Sequence, residues 1–344
     1  MRVSIYCLSI LFLFSCLDPI DLNTETEDRK VVVDGTFTDV LEEQVINLTY
    51  STFVENQVIS SVTGADVIVE SDNGEEIQFV ETAPGEYTSM AKATRGNRYR
   101  MKAVLMTGRV LTSNYQNVPK SFPLDSIAIS DSLTVYFDED GKRRTFNAVH
   151  FQVFGSADNI EEDLLMRFDL ETTYRVSEVV CSPFNPPSTC YIYNDERPQS
   201  IQLLNIDKSD RPISFNQYIY FRAIDFPFGE VYGLDVGLLS YNFEEYDYWK
   251  NLKALFDQNG DITDILPGRL LGNIESDTGD DVLGQFAVVG KSRSTKLVRN
   301  SDFSRHQNPF CGVAGIPPYP LPDECCNCLL FPNASYVKPD YWPQ

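Results

Sequence analysis

The sequence is poor in the residues and motifs on which most enzymes depend. It contains two histidines, His150 and His306, in 344 residues, although histidine is the side chain used most often for acid–base catalysis near neutral pH. It has no G-x-S-x-G, H-E-x-x-H, Walker or dinucleotide-binding pattern. His150 lies in an alternating, strand-like segment, where we expect a structural role. These absences favour binding over catalysis.

Positive charge is also scarce. The chain has 28 Lys and Arg against 50 Asp and Glu, a formal net charge of −22. Such a surface repels phosphate backbones, because nucleic-acid binding requires Lys and Arg to replace counterions. We therefore expect no nucleic-acid partner. Hydrophobic residues at 42% and charged residues at 23% are typical of folded proteins, and the length suits two domains.

Long apolar runs are missing except near the amino terminus. Residues 5–14 form such a run after Arg2, but a membrane-spanning helix needs about 20 apolar residues. The pattern therefore predicts a signal peptide at residues 1–15. The motif Leu13-Phe14-Ser15-Cys16 resembles the lipobox of bacterial lipoproteins. This resemblance implies that acyl chains such as palmitate are attached to Cys16 and hold the protein to a membrane.

The residues after Cys16 are acidic, with Asp18, Asp21 and Glu25 among them. Acidic residues close behind a lipidated cysteine resemble the signal that sends Bacteroidota lipoproteins to the outer face of the outer membrane. We therefore expect residues 16–28 to be a lipidated acidic tether. The expected location is the outer membrane, with the protein lipid-anchored and exposed at the cell surface.

Short β-branched or alternating runs, separated by turn signals, predict a mostly β fold. About seven such runs in residues 29–118 predict an N-terminal immunoglobulin-like β-sandwich. Pro119 and Pro123 mark a linker, because proline does not fit a central strand. Residues 124–300 predict a second β-rich domain with one prominent α-helix near 244–256. There, apolar residues recur at helical spacing, namely Tyr248, Trp249, Leu252, Leu255 and Phe256.

Residues 301–344 form a Cys- and Pro-rich tail that we expect to be clasped by disulfides. Six cysteines follow Cys16, an even number that predicts three bridges in an oxidising compartment: Cys181, Cys190, Cys311, Cys325, Cys326 and Cys328. We expect Cys181 to pair with Cys190 across a proline-rich loop, and Cys311 to be one target of the adjacent Cys325 and Cys326. The alternative is a zinc site of His306 with the last four cysteines, although their spacing is unusual for zinc.

Aromatic residues provide candidate contacts for a ligand or a partner, because exposed rings stack on sugars and grip peptides. The candidates are Tyr246, Trp249, Tyr319, Tyr341 and Trp342. Asp257, Asn259 and Asp261 place oxygen atoms at alternate positions and form a weak Ca²⁺ candidate. The EF-hand pattern fails there, because Ile262 and Arg269 stand where it needs Gly and Glu. We expect no cofactor and no firm metal site.

Pieces spread along the chain resemble one Bacteroidota lipoprotein family, known as domain of unknown function 4249. They are SCLDPIDL at 15–22, VVDG at 32–35, GADV at 64–67, PGEY at 84–87, YDYW at 246–249, GNI at 272–274, VLGQF at 282–286, CCNC at 325–328 and KPDYW at 338–342. The resemblance implies a neighbour of TonB-dependent outer-membrane transporters with an accessory role in nutrient capture. It implies no catalytic residues.

The leading hypothesis is a non-catalytic, surface-exposed lipoprotein that captures a peptide or glycan for such a transporter. A second hypothesis is an envelope hydrolase that uses a pair of carboxylates, since glycosidases need only two, held about 5 to 10 Å apart. A third is a structural role in surface assembly.

Overall fold

The computed structural model describes residues 29–52, 59–137, 142–158, 160–184, 186–195, 201–256, 270, 272–303, 306–312 and 320–342. The predicted signal peptide, Cys16 and the acidic tether lie outside these residues. Tyr319 and the calcium candidates Asp257, Asn259 and Asp261 also lie outside them. Within the described part of the chain, no helix is long and apolar enough to cross a membrane.

The fold is mostly β, as predicted, and begins with nine strands in the first third of the chain. They are β1 (Val31–Thr38), β2 (Glu42–Tyr50), β3 (Ser60–Ser61), β4 (Asp66–Ser71), β5 (Glu76–Ala83), β6 (Glu86–Ala91), β7 (Arg98–Val104), β8 (Val110–Ser113) and β9 (Gln116–Asn117).

The rest of the described chain adds ten strands and one α-helix. The strands are β10 (Ser126–Phe137), β11 (Arg143–Ala157), β12 (Leu164–Ser177), β13 (Thr189–Asp195), β14 (Leu203–Ile206), β15 (Ile213–Ala223), β16 (Val231–Tyr241), β17 (Ile274–Ser276), β18 (Val282–Arg299) and β19 (Ala334–Ser335), and the helix is α1 (Phe243–Phe256). The predicted helix is thus confirmed to within one residue at its start.

The first hydrophobic core lies inside the N-terminal sandwich. Val67 and Val69 of β4, and Met101 and Ala103 of β7, are fully buried in it, and they alternate with polar residues as a half-buried strand requires. Strand β5 joins the two sheets of the sandwich, because it pairs first with β4 and then with β6.

The second core lies between two sheets of the later part of the chain. Strands β10, β11 and β15 form a three-stranded sheet, whose Phe151 faces Tyr232 of β16 with ring centroids 6.2 Å apart. Leu234, Val236 and Leu238 alternate along β16 and are fully buried in the same core.

Strand β18 belongs to both cores. Its residues 282–289 pair in parallel with β1, and its residues 290–299 pair antiparallel with β16. Phe286 is buried in the first core and Val298 in the second. Gly284 has a φ of 81°, and a side chain there would collide with the backbone oxygen of Val33. The close approach of β1 to β18 therefore requires glycine.

The first core also takes residues from late in the chain. Within residues 274–300, which the sequence pattern assigns to the second domain, Ile274, Val282 and Phe286 pack in the first core. The first core is thus completed by a segment that follows most of the second one in sequence.

Two side chains cover the edge of β18 that β16 does not reach. Gln116 donates to the carbonyl oxygen of Phe286 and accepts from the N–H of Val288, both at 2.8 Å. Asn273 bonds both backbone groups of Phe286, at 2.7 and 3.0 Å. Amide side chains therefore take the place of a neighbouring strand and satisfy buried backbone groups.

We expect the two cores to unfold together because they share β18. Replacing Phe286 by Ala should cost about 3–5 kcal/mol of unfolding free energy through the cavity it leaves. The sequence has two tryptophans; Trp249 packs at the junction of the cores, whereas Trp342 contacts Tyr191 of β13, so the fluorescence of Trp342 in a Trp249→Phe background reports on the later strands. Circular dichroism and tryptophan fluorescence should therefore give the same lowered denaturation midpoint.

The matched control is Met90→Ala, because the Met90 side chain is 70% exposed; it should leave both midpoints unchanged. If Phe286→Ala lowered the midpoint by circular dichroism but not by fluorescence, the cores would be independent.

All six cysteines beyond the tether form disulfides, but not all with the expected partners. The bridges are Cys181–Cys326, Cys190–Cys328 and Cys311–Cys325. The expected Cys181–Cys190 bridge is wrong, because each of these residues is linked to the tail. The expectation that Cys311 pairs with one of the adjacent cysteines is confirmed. The zinc alternative is wrong as well, since the sulfur atoms of all four cysteines that it requires are engaged in disulfide bonds.

Two of these bridges attach the tail to β13 and to the loop before it. We predict that the double variant Cys190→Ala/Cys328→Ala loses about 3 kcal/mol of unfolding free energy, because the retained Cys181–Cys326 bridge already joins the same two segments and only a short further loop is opened. Thermal unfolding of the variant and of the unmodified protein, both without reductant, measures this loss. Mass spectrometry of non-reduced peptides should recover Cys190 joined to Cys328, and a peptide joining Cys181 to Cys190 would contradict the assignment.

Candidate functional site

Helix α1 packs on the face of the joined sheet that points away from both cores. Its Tyr246 and Trp249 contact a small apolar cluster formed by Leu239, Tyr241, Ala287 and Val289. These residues come from β16 and from the first half of β18, so the helix covers the junction of the two cores. Phe256, expected on the packed face, is 61% exposed.

Glu245 connects the first turn of this helix to the junction. Its side chain is buried, and its Oε1 accepts a hydrogen bond of 3.2 Å from Asn273, which also bonds Phe286 of β18. Its Oε2 is buried without a partner among the described residues. Burial raises the pKa of the Glu245 carboxyl, although the hydrogen bonds it accepts oppose this effect.

A cleft of about 460 Å³ opens beside the helix on the same face. Its walls come from β1 and β2 of the first half and from β12, β16 and α1 of the second half. Asp34 and Thr36 point into it because Val33, Gly35 and Phe37 of β1 face the core. The cleft thus exists only where the two halves meet.

Arg167 of β12 lies at the centre of the cleft wall. Its guanidinium carbon is 3.9 Å from the centroid of the Trp249 ring, a cation–π contact, and its Nε donates to the hydroxyl of Tyr241 at 3.1 Å. Its Nη2 is 3.9 Å from Asp169. Burial alone would lower the pKa of Arg167, but Tyr241 and Asp169 outweigh burial and raise it. The group is therefore a permanent, largely buried cation.

The remaining charges of the cleft are mostly negative. Five carboxylates line it, from Asp34, Glu42, Glu43, Glu86 and Asp169, against the two cations Arg167 and Lys291. Lys291 is held by Glu42 through two contacts of 2.8 and 2.9 Å. Arg167 is therefore the cation that remains to meet an anionic ligand group.

Neutral polar groups complete the lining. Thr36, Asn47 and Gln202 supply hydroxyl and amide groups. The indole N–H of Trp249 is buried and has no acceptor among the described residues. Such an unsatisfied donor costs about 1–3 kcal/mol, which a ligand oxygen that reached it would recover.

The predicted contact residues lie in different parts of the structure. Trp249 lines the cleft, whereas Tyr246 packs between helix and sheet. Trp342 is buried against Tyr191, and Tyr341 donates to the hydroxyl of Thr173 at 2.9 Å. Trp342 and Tyr341 thus lie apart from the cleft, and neither lines it.

Sequence reasoning missed Arg167, Asp34 and Asp169. A signal was present in β12, where Arg167 and Asp169 alternate with the buried Met166 and Phe168. Charged residues on the second face of an otherwise apolar strand indicate that this face meets solvent or a ligand.

Both histidines lie away from the cleft. His150 stacks on Phe221 with ring centroids 5.6 Å apart and shares a 3.0 Å hydrogen bond between its Nε2 and the hydroxyl of Thr134. His306 Nδ1 is 3.2 Å from the carbonyl oxygen of Asn300. Within the described ranges, no group of three or more His, Cys, Asp or Glu side chains is arranged to hold a metal ion.

The fold and the cleft define a two-core β protein whose halves share one strand and form a polar cleft at their junction. The family described as domain of unknown function 4249 matches residues 17–295, well over half of the chain, so the protein belongs to this family. The comparison with curated proteins gives no match.

The raised pKa of Glu245 predicts a pH-dependent stability. The folded state holds the proton more tightly than the unfolded state, so stability is lost as the pH rises above the ordinary pKa of a glutamate, about 4.3. Glu245→Gln mimics the protonated form and should remove this loss. Its melting temperature should exceed that of the unmodified protein more at pH 8 than at pH 4.5. The control is Glu244→Gln, since Glu244 is exposed; an equal effect of both substitutions would contradict the assignment.

Proposed function

We propose that this protein is a non-catalytic, surface-exposed lipoprotein of the outer membrane that captures a nutrient ligand for a TonB-dependent transporter. The observation that carries the binding role is the cleft at the junction of the two cores, where Arg167 is stacked on Trp249. A cleft of this size with a few convergent polar groups is the usual form of a ligand site.

The proposed location depends on the amino-terminal sequence. The short apolar run, the lipobox ending at Cys16 and the acidic residues behind it support export, lipidation and surface exposure. Lipid attachment also agrees with the charge of the chain, because a net charge of −22 leaves acyl chains as the means of membrane binding.

Exposed apolar side chains support a protein partner. Leu133 and Tyr218 lie on the sheet of β10, β11 and β15, away from the cleft, and are 70% and 61% exposed. Apolar groups that cluster at a surface often mark an interaction site, and a transporter barrel is the partner we propose.

Binding in the cleft can be tested with two substitutions. Trp249→Ala removes the aromatic wall, and Asp34→Lys reverses a charge at an exposed position without disturbing a core. A screen of short peptides and oligosaccharides first identifies a compound that binds. Both substitutions should weaken the binding of that compound by about tenfold or more, as measured by calorimetry. Tyr218→Ala is the matched control, because Tyr218 is an exposed ring outside the cleft. Unchanged affinity in both cleft variants would refute this site.

A hydrolase is the second candidate, since five carboxylates line the cleft. In that case the same compounds would be cleaved, and mass spectrometry after incubation would detect products that disappear in Asp34→Asn or Asp169→Asn. A structural role in surface assembly would instead give co-purifying membrane proteins without any ligand. Affinity purification from native membranes together with product detection therefore separates the three functions, because capture requires a barrel partner and a ligand that is bound but not cleaved.

A further inference from the structure

We infer that the ligand of the cleft is a short peptide whose terminal carboxylate is bound by Arg167 and whose amino group faces the acidic wall. This inference rests on the proposed capture function and adds the chemical class of the ligand. The cleft volume of about 460 Å³ lies within the range of about 300–1,000 Å³ that small-molecule pockets span, so the cleft admits a short peptide.

The guanidinium of Arg167 is prepared for a carboxylate. Its Nε is used by Tyr241, while Nη2 lies 3.9 Å from Asp169, beyond hydrogen-bond distance. The ring of Trp249 fixes the guanidinium plane from one side. A planar, immobilised guanidinium offers two parallel N–H groups to a carboxylate, and ordering it in advance reduces the entropic cost of binding.

The same contact disfavours a sugar. A sugar ring binds tryptophan by stacking on its face, but the Trp249 face that turns toward Arg167 is covered by the guanidinium at 3.9 Å. A neutral glycan also brings no carboxylate to the guanidinium, whose Nη2 has Asp169 near it but beyond hydrogen-bond distance.

The acidic wall selects for a ligand that is also positive. Asp34, Glu86 and Asp169 line the cleft around Arg167, and Lys291 does not offset them because Glu42 holds it. An acid without an amino group would be repelled by this wall. A peptide carries both charges and matches both parts of the site.

A second hollow extends the cleft and suits a side chain of such a peptide. It shares Glu42, Glu43 and Lys291 with the cleft and is bordered by Val40, Leu41 and Met90. Since these three apolar side chains are exposed, an apolar residue at the amino-terminal side of the peptide would cover them.

The test is calorimetry of the full chain with six probes: trialanine, its C-terminal amide, its N-acetyl derivative, leucyl-dialanine, maltotriose and trigalacturonate. We expect trialanine to bind, and amidation to weaken binding by about tenfold or more because the carboxylate contact is lost. Acetylation should also weaken binding, through loss of the ammonium group. Leucyl-dialanine should bind more tightly than trialanine if its side chain enters the second hollow.

The protein-side variant is Arg167→Met, with Lys250→Met as the matched control because Lys250 is an exposed cation on the same helix as Trp249. The variant should bind trialanine and its amide equally weakly. The control should keep the preference for the free carboxylate. Since the amide probe acts on the unmodified protein, the result does not depend on Arg167→Met folding.

The outcomes distinguish this inference from the proposed function. If trialanine does not bind but maltotriose does, and Trp249→Ala abolishes maltotriose binding, the ligand is not a peptide but capture in the cleft stands. Equal affinity for trialanine and its amide overturns the role of Arg167. If a trigalacturonate binds more tightly than trialanine, the ligand is an acidic glycan. If no peptide or glycan responds to the cleft substitutions, both proposals fail.

Discussion

The hydrogen bonding of β18 is the constraint on which the rest of the structure depends. The strand serves β1 along one edge through residues 282–289 and β16 along the other through residues 290–299. Residues 282–289 of β18 therefore have no partner among the described strands on the β16 side, and residues 290–299 have none on the β1 side. On the β16 side, Gln116 and Asn273 bond this open edge. On the β1 side, Asp39 accepts from the N–H of Lys291 at 2.8 Å. The two cores are therefore joined without unpaired backbone at these positions.

The candidate site is a product of this junction. Asp34 belongs to β1, Arg167 to β12 and Trp249 to α1, and these elements are neighbours because β18 pairs with β1 and β16 pairs with both β18 and β12. The helix packs on the outer face at the same place. The distances between residues of the site would change if the angle between the two cores changed. Because β18 runs through both cores without a break, it holds these distances constant.

Local features were predictable from sequence and long-range ones were not. The helix at 243–256 and most strands follow from periodicity, which is contained within each segment. Residues 282–289, which are apolar apart from Gly284 and Gln285, indicate a buried strand, yet the sequence pattern does not show which strands pair with it. The disulfides show the same limit, since Cys181 and Cys190 are close in sequence but bond to Cys326 and Cys328. In the cleft, Trp249 is predictable as an aromatic contact candidate from its residue type, whereas Arg167 and Asp34 are 133 positions apart and meet only in the folded sheet.

The parallel pairing of Val31 with Val282 has a consequence for the order of events during synthesis. The amino-terminal strands leave the ribosome first, but their core lacks Phe286 and Val288 until most of the chain has been made. The first core therefore stays incomplete while the strands of the second are being synthesised. In many proteins the amino-terminal domain folds early, while the rest of the chain is still being synthesised, but the first core of this protein cannot be completed in that way. The unpaired edge of β1 has to be protected until β18 has been synthesised.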